Sequence, residues 1–93
     1  MVRDKITEKL VLALTPAHLE VIDESHLHAG HVGTRPEGET HFRLRIVASA
    51  FEGLSRLQRQ RHVMELLSEE LQGPVHALAM RLKTPEEASS DAK

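Results

Sequence analysis

The sequence predicts an α+β domain of order α-β-β-α-β-α, with a three-stranded mixed sheet and its helices packed on one face. Three observations carry this. Apolar residues recur at helical spacing near the start of the chain. Apolar and polar residues alternate through residues 41–46, within a strand read over residues 40–48. A helical stretch closed by Gly-Pro then leads into a third strand, residues 75–83. Strands joined by a loop pair antiparallel, whereas strands joined through a helix pair parallel.

In the first helix Val2, Ile6, Leu10, Ala13 and Leu14 share one face, and Asp4 favours the positive helix end. Thr15-Pro16 stops it, because the residue before proline avoids α geometry. Residues 18–25 read as a strand with Leu19 and Val21 on one face. Residues 26–39 carry Gly30, Gly33, Pro36 and Gly38, which forbid regular structure. A connection of that length is unusual for a hairpin and is often functional.

The clearest strand is residues 40–48. Phe42, Leu44 and Ile46 alternate with His41, Arg43 and Arg45, so one face is buried and the other wet. SAFEGL makes a turn ending at Gly53. Ser55 then opens the main helix, with Gln58 completing a capping box. Leu57, Met64, Leu67 and Leu71 are its expected apolar stripe. Gly73 is expected as a left-handed cap, and Pro74 blocks continuation. In the third strand His76, Leu78, Met80 and Leu82 share one face, leaving Ala77, Ala79, Arg81 and Lys83 on the other. Thr84, Pro85 and Glu87 start a short last helix with a second capping box. One domain, residues 1–88, is expected, with residues 89–93 as a disordered tail.

Composition narrows the function classes. The chain has 93 residues, with 12 Lys and Arg against 14 Asp and Glu, so bulk charge gives no argument for nucleic acid. A net stability of about 5–9 kcal/mol is expected at this size. No apolar run approaches the roughly 20 residues of a membrane span. The first ten residues lack the apolar core of a secretory signal, and the expected location is the cytoplasm. There is no cysteine, which suits a reducing compartment and excludes a cluster held by this chain's own thiolates.

Histidine is the conspicuous residue. HLHAGHVG places His26, His28 and His31 within eight residues, and His41 follows. His26 and His28 fall on one side of an extended segment, and a turn through Gly30 brings His28 and His31 together. Imidazoles suit zinc, copper, nickel and iron alike. A solvated loop with incidental metal affinity fits the same residues, whereas a closed structural zinc site, which usually recruits thiolates, does not. His76 is the one polar member of an apolar strand face. It fits either a core-edge histidine with a hydrogen-bond partner or a metal ligand whose second nitrogen is held from within.

The blocks LEVIDES, ETHFRLRIVASAFEGLS and GPVHALAMRLKTPEE resemble the BolA family over residues 6–87. The resemblance implies a class II KH-like fold, in agreement with the element order. It also implies a partner, a monothiol glutaredoxin of the CGFS type, with which a [2Fe–2S] cluster is bridged and to which glutathione brings a further ligand. His76, in VHAL, would be one ligand from this chain. His28 in the loop after DES would be the second, with His31 as a substitute. Two imidazoles here leave one protein thiolate and one glutathione thiolate to complete four ligands. Protonated imidazole cannot bind metal, so such a cluster is expected to become labile below about pH 6. Bacterial relatives are described as regulators of transcription and morphology, which also suggests a stress-response role. Many relatives carry R-H-R on the main helix. Here it reads Arg59-Gln60-Arg61, with His62 just beyond.

DNA binding is the alternative function. Arg56, Arg59 and Arg61 on the main helix, with Arg43 and Arg45 on the wet strand face, would make a phosphate patch. A salt-bridged, solvated face fits those arginines equally. The GxxG string at Gly30–Gly33 lies between strands, not at the helix junction a KH clamp needs. Both phenylalanines are expected in the core, which leaves no stacking platform. Arg81 and Lys83 are further candidates for contact with the partner or glutathione. An enzyme is not expected: there is no cysteine nucleophile and no Walker or Rossmann glycine pattern. Asp23 and Glu24 are expected to end the first strand and orient the loop.

Overall fold

The computed structural model describes residues 2–24 and 41–91. Helix α1 (Val2–Leu14) is followed by strands β1 (His18–Asp23) and β2 (His41–Val47) and a 3-10 turn at Ser49–Phe51. Helices α2 (Arg56–Leu66) and α3 (Ser68–Gln72), strand β3 (Ala77–Lys83) and helix α4 (Pro85–Asp91) complete the order. The sheet runs β1-β2-β3, antiparallel between the first pair and parallel between the second. The mixed α+β architecture is therefore the one expected.

Strand β2 is central, and its alternation decides the layering. Phe42, Leu44 and Ile46 are buried while Arg43 and Arg45 are exposed. The buried row meets Ile6, Leu10 and Leu14 of α1, Val63 of α2, Leu67, and Phe51 of the 3-10 turn in one core. The arginine row faces water. There Arg43 pairs with Glu24 at 2.9 Å and Arg45 with Glu20 at 3.5 Å. Those two cations are thus part of a salt-bridged face.

Helix α1 ends where proline demands it. Thr15 takes φ of 43°, its N–H still bonded to the Val11 carbonyl, and Ala17 then donates to Val47 to enter the sheet. At the turn after Phe51, Gly53 takes φ of 80°, a conformation that glycine adopts without a Cβ penalty. Both expected capping boxes form: Ser55 with Gln58, and Thr84 with Glu87.

Five local expectations need correction. The main helix bends at Leu67 (φ −105°), which separates α2 from α3. Its buried face follows only part of the expected stripe: Leu67 is buried and Leu71 packs against the core, but Leu57 is 56% exposed and Met64 46%, and Val63 and Glu70 are buried instead. Gly73 is not a left-handed cap (φ −106°); its N–H is shared between the carbonyls of Glu69 and Glu70. A Cβ there would stand 3.3 Å from the Glu69 carbonyl oxygen, so glycine is used for close approach. Finally, β3 begins at Ala77, leaving Val75 and His76 ahead of it, and α4 continues through Asp91 into the stretch expected as tail.

Buried Glu70 has a partner from the other end of the chain. Lys9 of α1 donates to it at 3.0 Å and also lies 3.5 Å from Glu69. The hydrogen bond to Glu70 is the main cause of a raised Lys9 pKa, opposed by partial desolvation. A carboxylate removed from water without such a cation would carry a large desolvation penalty.

Candidate functional site

The β1–β2 connection leaves and re-enters the sheet at one end. Asp23 pairs with Phe42, and the Glu24 N–H donates to the His41 carbonyl at 2.8 Å. His41 opens β2 and is registered against Ala77, the first residue of β3. The next residue back is His76. The two histidine rings meet edge to face, with centroids 6.2 Å apart and planes at 70°.

The backbone on both sides fixes this meeting. Val75 is buried and donates to the Glu70 carbonyl at 3.0 Å. His76 follows directly and is exposed, so a rooted backbone presents an accessible imidazole. It is not the half-buried strand residue of the sequence reading. Its ring neighbour is His41, half-buried, which the sequence reading did not assign to a site. The signal was present in the parallel register between β2 and β3, which only the fold supplies.

His28 and His31, like His26 and the GxxG string, lie outside the described residues. Among the described residues no group of three or more His, Cys, Asp or Glu is placed to hold a metal ion. The described imidazoles at this end of the sheet are those of His41 and His76.

The other end of the sheet is built differently. Arg59 of α2 donates through Nε to the Leu54 carbonyl at 3.0 Å and through Nη1 to the Leu82 carbonyl at 3.1 Å. It also forks onto Glu87 at 2.6 and 3.2 Å and lies 6.0 Å from the Phe51 ring centroid. Arg59 and the Thr84 backbone hold the Glu87 carboxyl well below the usual range, at about 2. Arg59 is thus committed within the chain, as a clasp between α2, β3 and α4. Its bond to Leu82 also caps the outer edge of β3.

Beside this clasp is an open groove of about 880 Å³, bordered by Arg56, Gln60, Met80, Arg81 and Lys83. Arg56 and Arg81 are exposed, Lys83 is half-buried, and Arg61 is exposed on α2. At about 3.3 Å per residue, Lys83 stands roughly 20 Å along the strand from His76. That separates Lys83 from a ligand at the histidine end, so glutathione held there would not bridge both. Among the described residues no helix is long and apolar enough to cross a membrane.

Comparison with known proteins agrees with this architecture. Residues 10–87 match the family described as BolA-like protein. BolA-like protein 1 of Mus musculus is 56% identical over 80 residues, which cover 86% of this chain and 56% of that protein. The DNA-binding transcriptional regulator BolA of Escherichia coli is 41% identical over 87 residues, covering 94% of this chain and 79% of that one. The solved BolA domain of SufE1 from Arabidopsis thaliana superposes with a TM-score of 0.83 at 48% identity, covering 91% of this chain and 93% of that one. This chain spans little more than half the length of the mouse relative. With the family match running from α1 into α4 and the sheet and helices superposing on a solved BolA domain, the chain belongs to the BolA-like protein family.

Proposed function

We propose that this chain is an adaptor that pairs with a CGFS-type monothiol glutaredoxin and shares a [2Fe–2S] cluster with it, in cluster assembly, cluster transfer or iron sensing. The observation that carries the reading is His76, an exposed imidazole on an anchored backbone, at the sheet end where the histidine-bearing connection leaves and returns. His76 would supply one ligand and His28 the second, with His31 as the substitute. The chain has no thiol of its own. A partner cysteine and glutathione would therefore complete the set, as a reducing compartment such as the cytoplasm permits. The cluster, when bound, supplies transferable iron and sulfide. The chain's part is to present imidazoles and to seat the partner against the start of β3.

The test is visible absorption and circular dichroism while this protein is titrated into a cluster-loaded monothiol glutaredoxin. A changed spectrum with the wild type, absent with His76→Ala, supports the reading. An unchanged spectrum with the wild type rejects it.

A second reading has its own support. The E. coli relative is named as a DNA-binding regulator, and Arg56 and Arg81 border the groove at the clasp end. Arg61 is exposed nearby in sequence, whereas Arg59 is already paired. Duplex DNA affinity that falls steeply with salt, and less steeply in Arg56→Ala or Arg81→Ala, would favour it.

A further inference from the structure

We propose that His41 and His76 form a two-imidazole site for a divalent transition-metal ion of the zinc class, held by this chain alone, without its partner and without the histidines of the β1–β2 connection. The inference goes beyond the glutaredoxin reading and does not depend on it.

Geometry carries the argument. A zinc-class ion bonds imidazole nitrogen at about 2.0–2.1 Å, which places two ligating rings with centroids roughly 5–6 Å apart. The observed separation is 6.2 Å, with ring planes at 70°. An edge-to-face pair points the edge of one ring at the face of the other, so one ring must turn before both nitrogens aim at a single point. His76 is exposed, and rotation about its side-chain bonds suffices to close the remaining gap. Its exposure also leaves room for water to complete the coordination, as an open site requires.

The frame is rigid where it needs to be. His41 is held between β1 and β3, its carbonyl accepting from Glu24 and its backbone registered on Ala77. His76 follows buried Val75, whose N–H is bonded to Glu70. Two ligands at fixed spacing bind more tightly than either alone, because the second binds at high effective concentration. Imidazole nitrogen suits zinc, copper and nickel, and with no thiolate present the site is not biased toward softer ions.

Zinc(II) is titrated calorimetrically into the full chain carrying His26→Asn, His28→Asn and His31→Asn, and imidazole nitrogen shifts are followed by NMR on the same sample. The expected result is one zinc bound, with nitrogen shifts of both His41 and His76 saturating together at one equivalent. Adding either His41→Gln or His76→Gln should weaken binding by about tenfold or more. His76 is exposed, so its replacement keeps the fold, and far-ultraviolet circular dichroism checks the His41 variant. Loss of all zinc binding with the three loop substitutions would overturn the proposal. So would a shift of only one ring, or a single variant that binds as tightly as its parent. No glutaredoxin is present in this experiment, so its failure is distinct from failure of the cluster reading.

Discussion

The two ends of the same sheet are built to opposite rules. At the end of β3, Arg59 spends its donors on two backbone carbonyls and one carboxylate, beside the fully buried Phe51. At the start of β3, the backbone is anchored one residue earlier and the side chain that follows stands in water. One end closes the fold and the other presents chemistry. A short domain has a small stability margin, so separating the two tasks lets the His76 imidazole stay exposed without loosening the core.

The sharpest way to break this comparison is to cut each end once. Phe51→Ala should cost about 3–5 kcal/mol, a large share of the total stability, and denaturant unfolding will measure it. His76→Ala should change the midpoint by no more than about 0.5 kcal/mol. An equal cost at both ends would mean that His76 is structural and that the division of labour is wrong.

The clasp gives the next effect. Arg59→Met leaves the Leu54 and Leu82 carbonyls without their donor and should cost about 1–3 kcal/mol, with faster amide exchange concentrated in α4. Its pH dependence has a definite sign. The Glu87 carboxyl lies at about 2, below its ordinary 4.5, so its contribution is complete above pH 4.5 and fades as pH falls toward 2. Wild type and Glu87→Gln should therefore differ most near neutrality and converge across that window. The Lys9–Glu70 pair behaves in mirror image. The Lys9 pKa is raised, so its contribution is complete below about 10.5 and is lost as pH rises beyond it. The gap between wild type and Lys9→Met in denaturant midpoint should close in strong alkali. A gap that stayed constant would assign the effect to packing of the lysine stem.

Those two ion pairs also explain what the sequence did and did not reveal. Local patterns were legible: the α1 stripe through Ile6, Leu10 and Leu14, the alternation of β2, and both capping boxes. The buried face of the main helix was legible only in part, at Leu67 and Leu71, because the charged Arg59 and Glu70 share it with apolar residues. Arg59 meets Glu87 across 28 positions and Glu70 meets Lys9 across 61, and no local period contains such a partner. Leu57 and Met64 are as apolar as the covered Val63 and Leu67, so residue type alone does not tell the two sides of the helix apart. The candidate site divides in the same way. His76 was found through its block of sequence, but its ring contact with His41 depends on parallel pairing between β2 and β3. His28 and His31 fall outside the described residues, so their assignment rests on the resemblance alone.

The smallest effect belongs to the wet face, and it sharpens the comparison most economically. Arg43 and Glu24 pair at 2.9 Å where β1 ends and β2 begins, and both side chains keep some exposure. Exposed pairs of this kind contribute about 0.2–1 kcal/mol and weaken with salt. Arg43→Ala should therefore shift global unfolding by less than about 1 kcal/mol, a difference that narrows in 1 M salt. Its local consequence should be larger in proportion, because Glu24 is also the residue whose N–H holds the His41 carbonyl. Faster exchange of the Glu24 amide in Arg43→Ala, with α4 unchanged, would locate the loosening at the histidine end alone. Equal acceleration in α4 would mean that the two ends open together, and that His41 and His76 are carried by the same cooperative unit as the clasp.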